Sequence, residues 1–365
     1  MSLERIRPCQ TPLNTVLGLR GGPQAHAISF PATLACQSMI RRSVDQYLIA
    51  PFPWFGGKSK VADIVWRAFG AEVPNYVEPF FGSGAVLLAR PAGNVGIETI
   101  NDLDGYVANF WRAIQHAQDA VAHYADWPVN ENDLHARHLW LVARKGDLIA
   151  KLQGDPDYYD AKIAGWWVWG ICCWIGGGFC SGQGPWVVRD GKMIDAREDG
   201  EEGVKLQLPH LGDAGRGERL EWLLEWFGTL SARLRDVRVC SGDWSRVCGP
   251  SVTEKNGMTG IFMDPPYSNL AGRAGDIYRV DSESVAHDVR EWAIANGNNQ
   301  LLRIALCGYE GEHTMPDTWA CVPWKAHGGY GSQGDGNGRE NSAKERIWFS
   351  PACLPMERSQ QRMFA

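Results

Sequence analysis

The residue types with the most chemical use stand together at Asp264-Pro265-Pro266-Tyr267. They follow the short apolar run 260–263, which we predict to be a buried strand, so they would lie just beyond its carboxyl end. In open α/β sheets that is where ligands bind. A carboxylate and a proline carbonyl can accept hydrogens from an amino group, and a tyrosine can stack on a flat ring. The set suits a planar exocyclic amine such as N6 of adenine; a simple Asp-Pro turn is the alternative.

Two further patterns are typical of a nucleotide-like cofactor. Phe80-Phe81-Gly82-Ser83-Gly84 follows a predicted strand and opens a predicted helix, where glycines let the backbone approach a ligand. Asp102 lies 20 residues beyond Gly82, where nucleotide-binding folds carry a carboxylate for ribose hydroxyls. Because the third glycine of the dinucleotide fingerprint is missing, the loop fits an adenosine-type cofactor without phosphates. A tight strand–helix turn without a ligand is the alternative.

Two shorter motifs add weaker candidates. Gly56-Gly57-Lys58-Ser59 is not a phosphate-binding P-loop, because that motif needs glycine where this chain has Phe52, so a kinase or ATPase is not expected. Lys58 could meet a cofactor carboxylate or be solvated. Asp243-Trp244 ends another predicted strand, where the carboxylate could accept from an adenine amino group while the ring packs on it. A capping Asp is the alternative there.

Hydrophobic periodicity predicts the elements that must position these residues. Strands alternate with helices before residue 120 and again after residue 230, which indicates an α/β fold of the parallel-sheet kind. The predicted helices are 61–69, 85–90, 106–116, 132–151, 219–235 and 284–295, and the predicted strands are 75–77, 95–100, 237–240, 260–263, 302–307 and 346–349.

The middle of the chain lacks this alternation. It holds the Trp/Gly/Cys-rich stretch 166–186 and the charged, glycine-rich segment 189–217, which is typical of a loop or a hairpin arm. We therefore predict an inserted domain that is mainly helical. The predicted divisions are an N-terminal extension at 1–48 that is partly disordered, an α/β domain formed by 49–119 and 231–350, the insert at 120–230, and a tail at 351–365.

Composition limits the classes of protein. The net charge of −6 and the sequence pI of about 5.9 count against nucleic-acid binding by bulk electrostatics, although a local basic groove stays open. None of the 10 cysteines has a Cys-x-x-Cys or zinc-like spacing, so free thiols and no metal site are expected. Since the sequence has no secretory signal and no apolar run of membrane-spanning length, we expect a soluble, cytoplasmic protein.

Taken together, these motifs resemble the D12 class of DNA adenine-N6 methyltransferases, the Dam-like family, over residues 50–350. Pro53-Trp54-Phe55-Gly56-Gly57-Lys58 is similar to the family's amino-terminal cofactor motif, and the motif order, with the catalytic loop last, is that of its α group. The block 166–180 resembles prophage-type members. The resemblance implies a Rossmann-like, S-adenosylmethionine-dependent core with a mixed, mostly parallel seven-stranded sheet, and makes the insert a target-recognition domain.

The resemblance also implies a role for each candidate residue. Asp264 and the Pro265 carbonyl would accept hydrogens from the target amine, and Tyr267 would stack on its ring. The implied catalytic residues are Asp264, Pro265, Pro266 and Tyr267, and the implied cofactor-binding residues are Trp54, Lys58, Glu78, Phe80, Gly82, Ser83, Gly84, Asp102, Asp243 and Trp244.

The implied reaction moves a methyl group from S-adenosylmethionine to N6 of an adenine flipped out of DNA, leaving S-adenosylhomocysteine and needing no metal. Double-stranded DNA is the expected partner, single-stranded DNA stays open, and the prophage-like block favours relaxed specificity. A monomer in a bacterial or phage-infected cell is expected.

Cytosine-N4 methylation is the near alternative to adenine-N6 methylation, although such enzymes more often have Ser in place of Asp264. RNA or protein-glutamine methylation and a non-catalytic DNA- or nucleotide-binding module are the others.

Contacts to nucleic acid are the least specific prediction. Basic residues on one predicted helix could meet phosphates, and a solvated helix face is the more common explanation. The glycine-rich segment 328–341 is expected to be a mobile loop that orders on DNA. Phe179 and Gln183 lie where members of the resembled family place recognition contacts, and burial in a core is the alternative for them. The candidate nucleic-acid-binding residues are Arg137, His138, Arg144, Lys145, Phe179 and Gln183.

Overall fold

The structure is a computed structural model of the 365-residue chain. The predictions on 1–47, on Gly56-Gly57, on Gln183 and on 328–341 lie outside the residues that it describes. The described residues are 48–54, 58–91, 96–174, 179–180, 186–189, 192–195, 219–267, 284–324 and 344–355.

Strands form one large sheet and one hairpin-like pair in the described part of the chain. The strands are β1 (Asn75–Glu78), β2 (Ile97–Asp102), β3 (Trp186–Arg189), β4 (Lys192–Asp195), β5 (Arg238–Ser241), β6 (Thr259–Met263), β7 (Leu302–Tyr309), β8 (Ala320–Pro323) and β9 (Glu345–Phe349).

The large sheet has seven strands in the order β5-β2-β1-β6-β7-β9-β8. Neighbours from β5 to β7 are parallel, and β9 runs antiparallel to both β7 and β8. The predicted mixed, mostly parallel seven-stranded sheet is therefore confirmed. β3 and β4 form an antiparallel pair at the start of the segment predicted to be a loop or hairpin.

Strand order reverses at β1, which has β2 on one side and β6 on the other. In an open parallel sheet, loops beyond the carboxyl ends separate at such a point and leave a crevice for a ligand. The loops that follow β1, β2, β5 and β6 contain the predicted cofactor and catalytic motifs. The sheet order therefore brings four separate stretches of sequence to one crevice.

Helices cover both faces of the sheet. Alternate residues of β6 face opposite ways: Phe262 belongs to the larger core, whereas Ile261 and Met263 belong to a smaller core on the other side. The described α-helices are α1 (Ala62–Phe69), α2 (Ala85–Leu88), α3 (Gly105–Ala125), α4 (Glu131–Gly154), α5 (Ala161–Cys173), α6 (Arg219–Leu234) and α7 (Val285–Asn296). The larger core contains α1, α3, α5 and α6, and the smaller core contains α7.

Polar caps define where the three long helices α3, α4 and α5 begin. The side chains of Asp104, Asn130 and Asp160 each accept a hydrogen bond from a backbone N–H in the first turn. α5 then packs tightly on α3 at Gly165, where a Cβ would lie 2.4 Å from Cβ of Tyr124. Only glycine allows this close contact. It packs α5, in the predicted insert, against α3, the helix that follows β2.

Most predicted elements are present, α3 is longer than predicted, and α5, β3, β4 and β8 were not predicted as individual elements. α3 continues to Ala125, beyond the predicted end at 116, because the chain resumes helical geometry after the non-helical Ala117 (φ −150°, ψ 40°). It therefore crosses the predicted division at 119/120, and the domain divisions stay predictions. β8 was not predicted because it is a short, largely exposed strand without a clear apolar alternation.

Two further expectations concern membranes and thiols. Within the described ranges, no helix is both long enough and apolar enough to cross a membrane. The described cysteines are free thiols, and most of them are buried.

Candidate active site

A cavity of about 950 Å³, counting the open space at its mouth, lies beyond the carboxyl ends of β1, β2, β5 and β6. Gly84, Pro265 and Tyr267 are not among the lining residues, although they belong to the same loops. The predicted residues that line it are Trp54, Lys58, Glu78, Phe80, Gly82, Ser83, Asp102, Asp243, Trp244, Asp264 and Pro266.

The glycine loop after β1 requires glycine at two positions. Gly82 has φ +47°, and a Cβ there would lie 2.2 Å from Nε1 of Trp54. Gly84 has φ +70°, and a Cβ there would collide with the Phe81 ring. The indole of Trp111 donates a hydrogen bond to the Gly82 carbonyl (3.0 Å). The loop is therefore held in a left-handed turn that keeps its backbone at the cavity.

Asp102 is anchored by backbone groups on both carboxylate oxygens. The N–H of Gly82 donates to Oδ2 (2.9 Å) and the N–H of Asp104 donates to Oδ1 (2.8 Å). A carboxylate has about four acceptor sites, so these two hydrogen bonds are compatible with a hydroxyl-bearing ligand. The exposed side chain of Leu103 stands at the cavity wall beside it, a lining residue that the sequence did not single out.

Asn101 links two of the loops. Its Nδ2 donates to the Pro79 carbonyl (3.0 Å) and to the Gly242 carbonyl (2.9 Å), which ties the β1 loop to the β5 loop. Its Oδ1 is buried at the cavity and has no hydrogen-bond partner among the described residues. A buried acceptor without a partner is costly, so this atom is suited to a donor on a bound ligand.

Asp243 and Trp244 combine both roles considered for them. Asp243 caps the short 3₁₀ turn Trp244–Val247, accepting from the backbone N–H and the hydroxyl of Ser245. Both residues also line the cavity. The Trp244 ring lies nearly parallel to Phe80, with 6.2 Å between centroids, and edge-on to Trp292. This arrangement forms an aromatic wall at the β5 end of the cavity.

The predicted catalytic loop after β6 contacts Lys58 and the strand β9. Lys58 Nζ lies 3.0 Å from Asp264 Oδ1 and donates to the Tyr267 hydroxyl (2.8 Å). The hydroxyl lies 2.8 Å from Glu345 Oε2 and 3.2 Å from Asp264 Oδ1. Lys58, predicted to meet a cofactor carboxylate, thus contacts the catalytic loop itself. Glu345 was missed because an isolated glutamate in a strand carries no motif.

Aromatic rings close the far side of this network. The Tyr267 ring is buried and packs edge-on against Tyr309, with 4.6 Å between centroids. Lys58 Nζ lies 5.1 Å from the Tyr267 ring and 5.0 Å from the Trp324 ring. The stacking of Tyr267 on a target base therefore stays a prediction, because its ring is packed against protein here.

Buried carboxyl groups dominate the electrostatics of the cavity. Burial raises the pKa of Glu78 well above its ordinary value, although the Tyr76 hydroxyl, which donates to it at 2.8 Å, opposes the rise. Burial also raises the pKa of Asp264 and of Glu345, and the charge of Lys58 opposes both rises. Lys58 therefore favours the ionised form of the two carboxyl groups beside it.

Part of the predicted nucleic-acid surface is packed inside the protein. Arg137 is 7% exposed, and its guanidinium lies 4.3 Å from the Trp169 ring centroid and 4.9 Å from those of Trp127 and Trp166. Burial lowers its pKa to about 10. This packing does not support a contact between Arg137 and a phosphate.

His138 and Phe179 are also buried. The His138 ring stacks on Trp174 with 4.8 Å between centroids, and Phe179 packs edge-on against it at 5.2 Å. Phe179 further fits against Gly170, where a Cβ would lie 2.2 Å from the ring. These two side chains contribute to the packing of α4 and α5, so His138 lies neither on a solvated helix face nor at a nucleic-acid contact, and Phe179 lies in the core.

Arg144 and Lys145 on α4 remain accessible to solvent. Arg144 lies over Trp140, with 3.8 Å from Cζ to the ring centroid. Lys162 of α5 lies over Trp140 and Trp166, at 4.9 Å and 4.4 Å. Cations and partly buried aromatic rings thus share one patch on α4 and α5, hereafter the Arg144 patch, defined by these five residues.

The seven-stranded, mostly parallel sheet with a cavity beyond its strand ends is consistent with a methyltransferase core. Residues 54–140 match the family model of the D12 class N6 adenine-specific DNA methyltransferase. The match spans about a quarter of the chain. It includes Trp54, Lys58, the glycine loop and Asp102, whereas Asp243 and the catalytic loop lie beyond it. A comparison with curated proteins found no match.

Among the residues that the structure describes, no group of three or more His, Cys, Asp or Glu side chains is arranged to hold a metal ion.

Proposed function

We propose that the chain is a D12-class enzyme that transfers a methyl group from S-adenosylmethionine to N6 of an adenine in DNA. The observation that carries the proposal is the meeting of the glycine loop, Asp102, Asp243 and Asp264 around one cavity. The family match to residues 54–140 supports the cofactor half of this site. Motifs that are far apart in sequence thus meet at the strand-order reversal, where open α/β sheets bind ligands.

The residues of the cavity fit an adenosine with an amino-acid tail. Asp102 would accept from ribose hydroxyls, Phe80 and Trp244 would contact the adenine ring, and the unpaired Oδ1 of Asn101 is suited to an amino group. Gly82 leaves the space that a side chain would fill. When bound, the sulfonium cofactor supplies an activated methyl group.

The chain's own residues act on the amine. The N6 lone pair is delocalised into the ring, so the amine is a poor nucleophile. Hydrogen bonds from N6–H to the Asp264 carboxylate and the Pro265 carbonyl favour a more tetrahedral nitrogen, and the rigid loop holds that nitrogen in line with the methyl group. Lys58, 3.0 Å from Asp264, opposes the rise in the pKa of Asp264 that burial causes, and so favours the ionised carboxylate. We assign Lys58 to this role rather than to a cofactor carboxylate.

DNA must deliver the base to a recessed site. The catalytic loop lies at the edge of a cavity, so the target adenine leaves the stack of the duplex before it reaches Asp264. We assign residues 120–230 to target recognition and the Arg144 patch to the DNA backbone. We also propose relaxed sequence specificity, which the similarity of the block 166–180 to prophage-type members favours. Mapping methylated adenines after expression in a methylation-free host tests this point.

The central experiment measures transfer of labelled methyl from S-adenosylmethionine to DNA. Asp264→Ala is expected to lower kcat at least about 100-fold, since it removes the carboxylate that accepts from the amine. Asp63→Ala is the matched control, because this exposed carboxylate on α1 pairs with Arg67 at the surface, and its removal should leave the rate unchanged. Full transfer by Asp264→Ala would refute the mechanism. Mass spectrometry of the digested DNA separates N6-methyladenine from N4-methylcytosine, and the latter would reassign the substrate.

A further inference from the structure

Glu345 is a buried carboxylate that no sequence motif singles out. It is the first residue of β9, faces Tyr309 of β7 in the sheet register, and is only 3% exposed. Its Oε2 lies 2.8 Å from the Tyr267 hydroxyl and 3.7 Å from Lys58 Nζ. A side chain 78 residues after the catalytic loop thus contacts both groups that contact Asp264.

The distances from the Tyr267 hydroxyl to the two carboxylates indicate which of them accepts its hydrogen bond. A tyrosine hydroxyl donates one hydrogen. Two acceptors compete for it, and Glu345 at 2.8 Å is nearer than Asp264 at 3.2 Å. Lys58 donates to the same hydroxyl oxygen at 2.8 Å. The hydroxyl therefore accepts from Lys58 and donates to Glu345, which leaves Asp264 Oδ1 with one donor, Lys58, from this network.

We propose that Glu345 is a positioning residue for methyl transfer. By accepting the hydrogen bond from the Tyr267 hydroxyl, it keeps an acceptor site on Asp264 Oδ1 open for the target amine. The inference rests on the proposed function, because it concerns the amine that Asp264 accepts from. It also explains why a second carboxylate lies in a buried site that holds Lys58. A neutral acceptor would compete less strongly for the proton than a charged one.

Replacing the carboxylate by an amide tests this assignment. In Glu345→Gln the amide can donate to the Tyr267 oxygen, so the hydroxyl donates to Asp264 Oδ1 instead and, together with Lys58, fills both acceptor sites of that oxygen. We expect kcat to fall about 10- to 100-fold, as is typical when a reacting group is mispositioned, with the KM for cofactor unchanged. Glu310→Gln is the matched control, since this exposed glutamate just beyond β7 pairs with Arg346 outside the network and should keep full activity. An unchanged kcat in Glu345→Gln would overturn the proposal.

A double-mutant cycle separates positioning from a loss of fold. Tyr267→Phe removes the hydroxyl through which Glu345 acts, so adding Glu345→Gln to it should lower kcat no further. If the two effects on kcat multiply, Glu345 acts by another route and the proposal is wrong. Thermal denaturation of all four proteins identifies any variant that lowers kcat merely by unfolding.

A structural measurement keeps the inference testable even if the wild-type protein methylates a different substrate. In crystals of Glu345→Gln, the Tyr267 hydroxyl is expected to lie nearer to Asp264 than to residue 345, the reverse of the wild-type order. An unchanged order of the two distances would overturn the inference. An inactive wild type with the expected shift would instead count against the proposed function alone.

Discussion

Two buried cations show how the cavity differs from the helices α4 and α5. Lys58 and Arg137 are almost equally buried, at 6% and 7% exposure, and both lie against aromatic rings. Lys58 also contacts Asp264 and lies 3.7 Å from Glu345, whereas Arg137 is surrounded by three tryptophans. The carboxylates beside Lys58 suit it to the proposed catalytic role, whereas the rings around Arg137 suit that residue to packing.

The largest expected effect tests the packing half of this comparison. Arg137→Ala should lower the free energy of unfolding by about 3 kcal/mol, because it leaves a void among three tryptophan rings and removes their cation–π contacts. Chemical denaturation measures this directly. Lys145→Ala, on the surface of the same helix, is the control and should change stability little. The comparison fails if Arg137→Ala keeps its stability but loses DNA binding.

The second largest expected effect tests the comparison at the cavity, through the glycine loop. Gly82→Ala places a methyl group against Trp54 and strains a residue with φ +47°, so cofactor binding should weaken about tenfold or more. Calorimetry with S-adenosylhomocysteine measures it. Gly249→Ala is the matched control, since a Cβ there meets nothing within 4 Å and the residue is partly exposed. Equal cofactor affinity in the two variants would mean that the loop does not approach the ligand.

The pH dependence of stability tests whether Glu78 is a protonated acid in the folded state. Its folded pKa lies well above the ordinary value of 4.5 because of burial, so the folded protein holds the proton more tightly than the unfolded chain. The stabilisation is present below pH 4.5 and is lost as pH rises through the raised value. Glu78→Gln should remove part of this decline in melting temperature. Asp264 and Glu345 contribute declines of the same sign in both proteins, so the difference between wild type and variant isolates Glu78.

The smallest expected effect concerns the Arg144 patch. Arg144→Ala and Lys145→Ala should each reduce the slope of log K against log salt for DNA binding by about one, as expected for one lost phosphate contact. Lys151→Ala is the control on the same helix, because that lysine already pairs with Asp147 at 2.8 Å. Identical slopes in all three variants would place the DNA backbone elsewhere on the protein.

Local patterns predicted the frame of this protein well. Apolar runs such as 260–263 and amphipathic stretches such as 219–235 lie where the structure has β6 and α6. Apolar periodicity is enough here because each element buries one face or lies wholly in the core. β8 was missed for the opposite reason: it is a short edge strand, and its place is set by pairing with β9 rather than by its own residues.

The candidate site was likewise only partly predictable from local sequence. Motifs such as the glycine loop and Asp264-Pro265-Pro266-Tyr267 carry their chemistry in adjacent residues, so residue order alone identified them and the strand ends that hold them. The partner of each side chain depends on contacts over long distances in sequence, because burial and sheet register bring Lys58 and Glu345 to Tyr267. Folding likewise buries Arg137 and leaves Arg144 exposed, since helix packing rather than residue type determines which charges meet water.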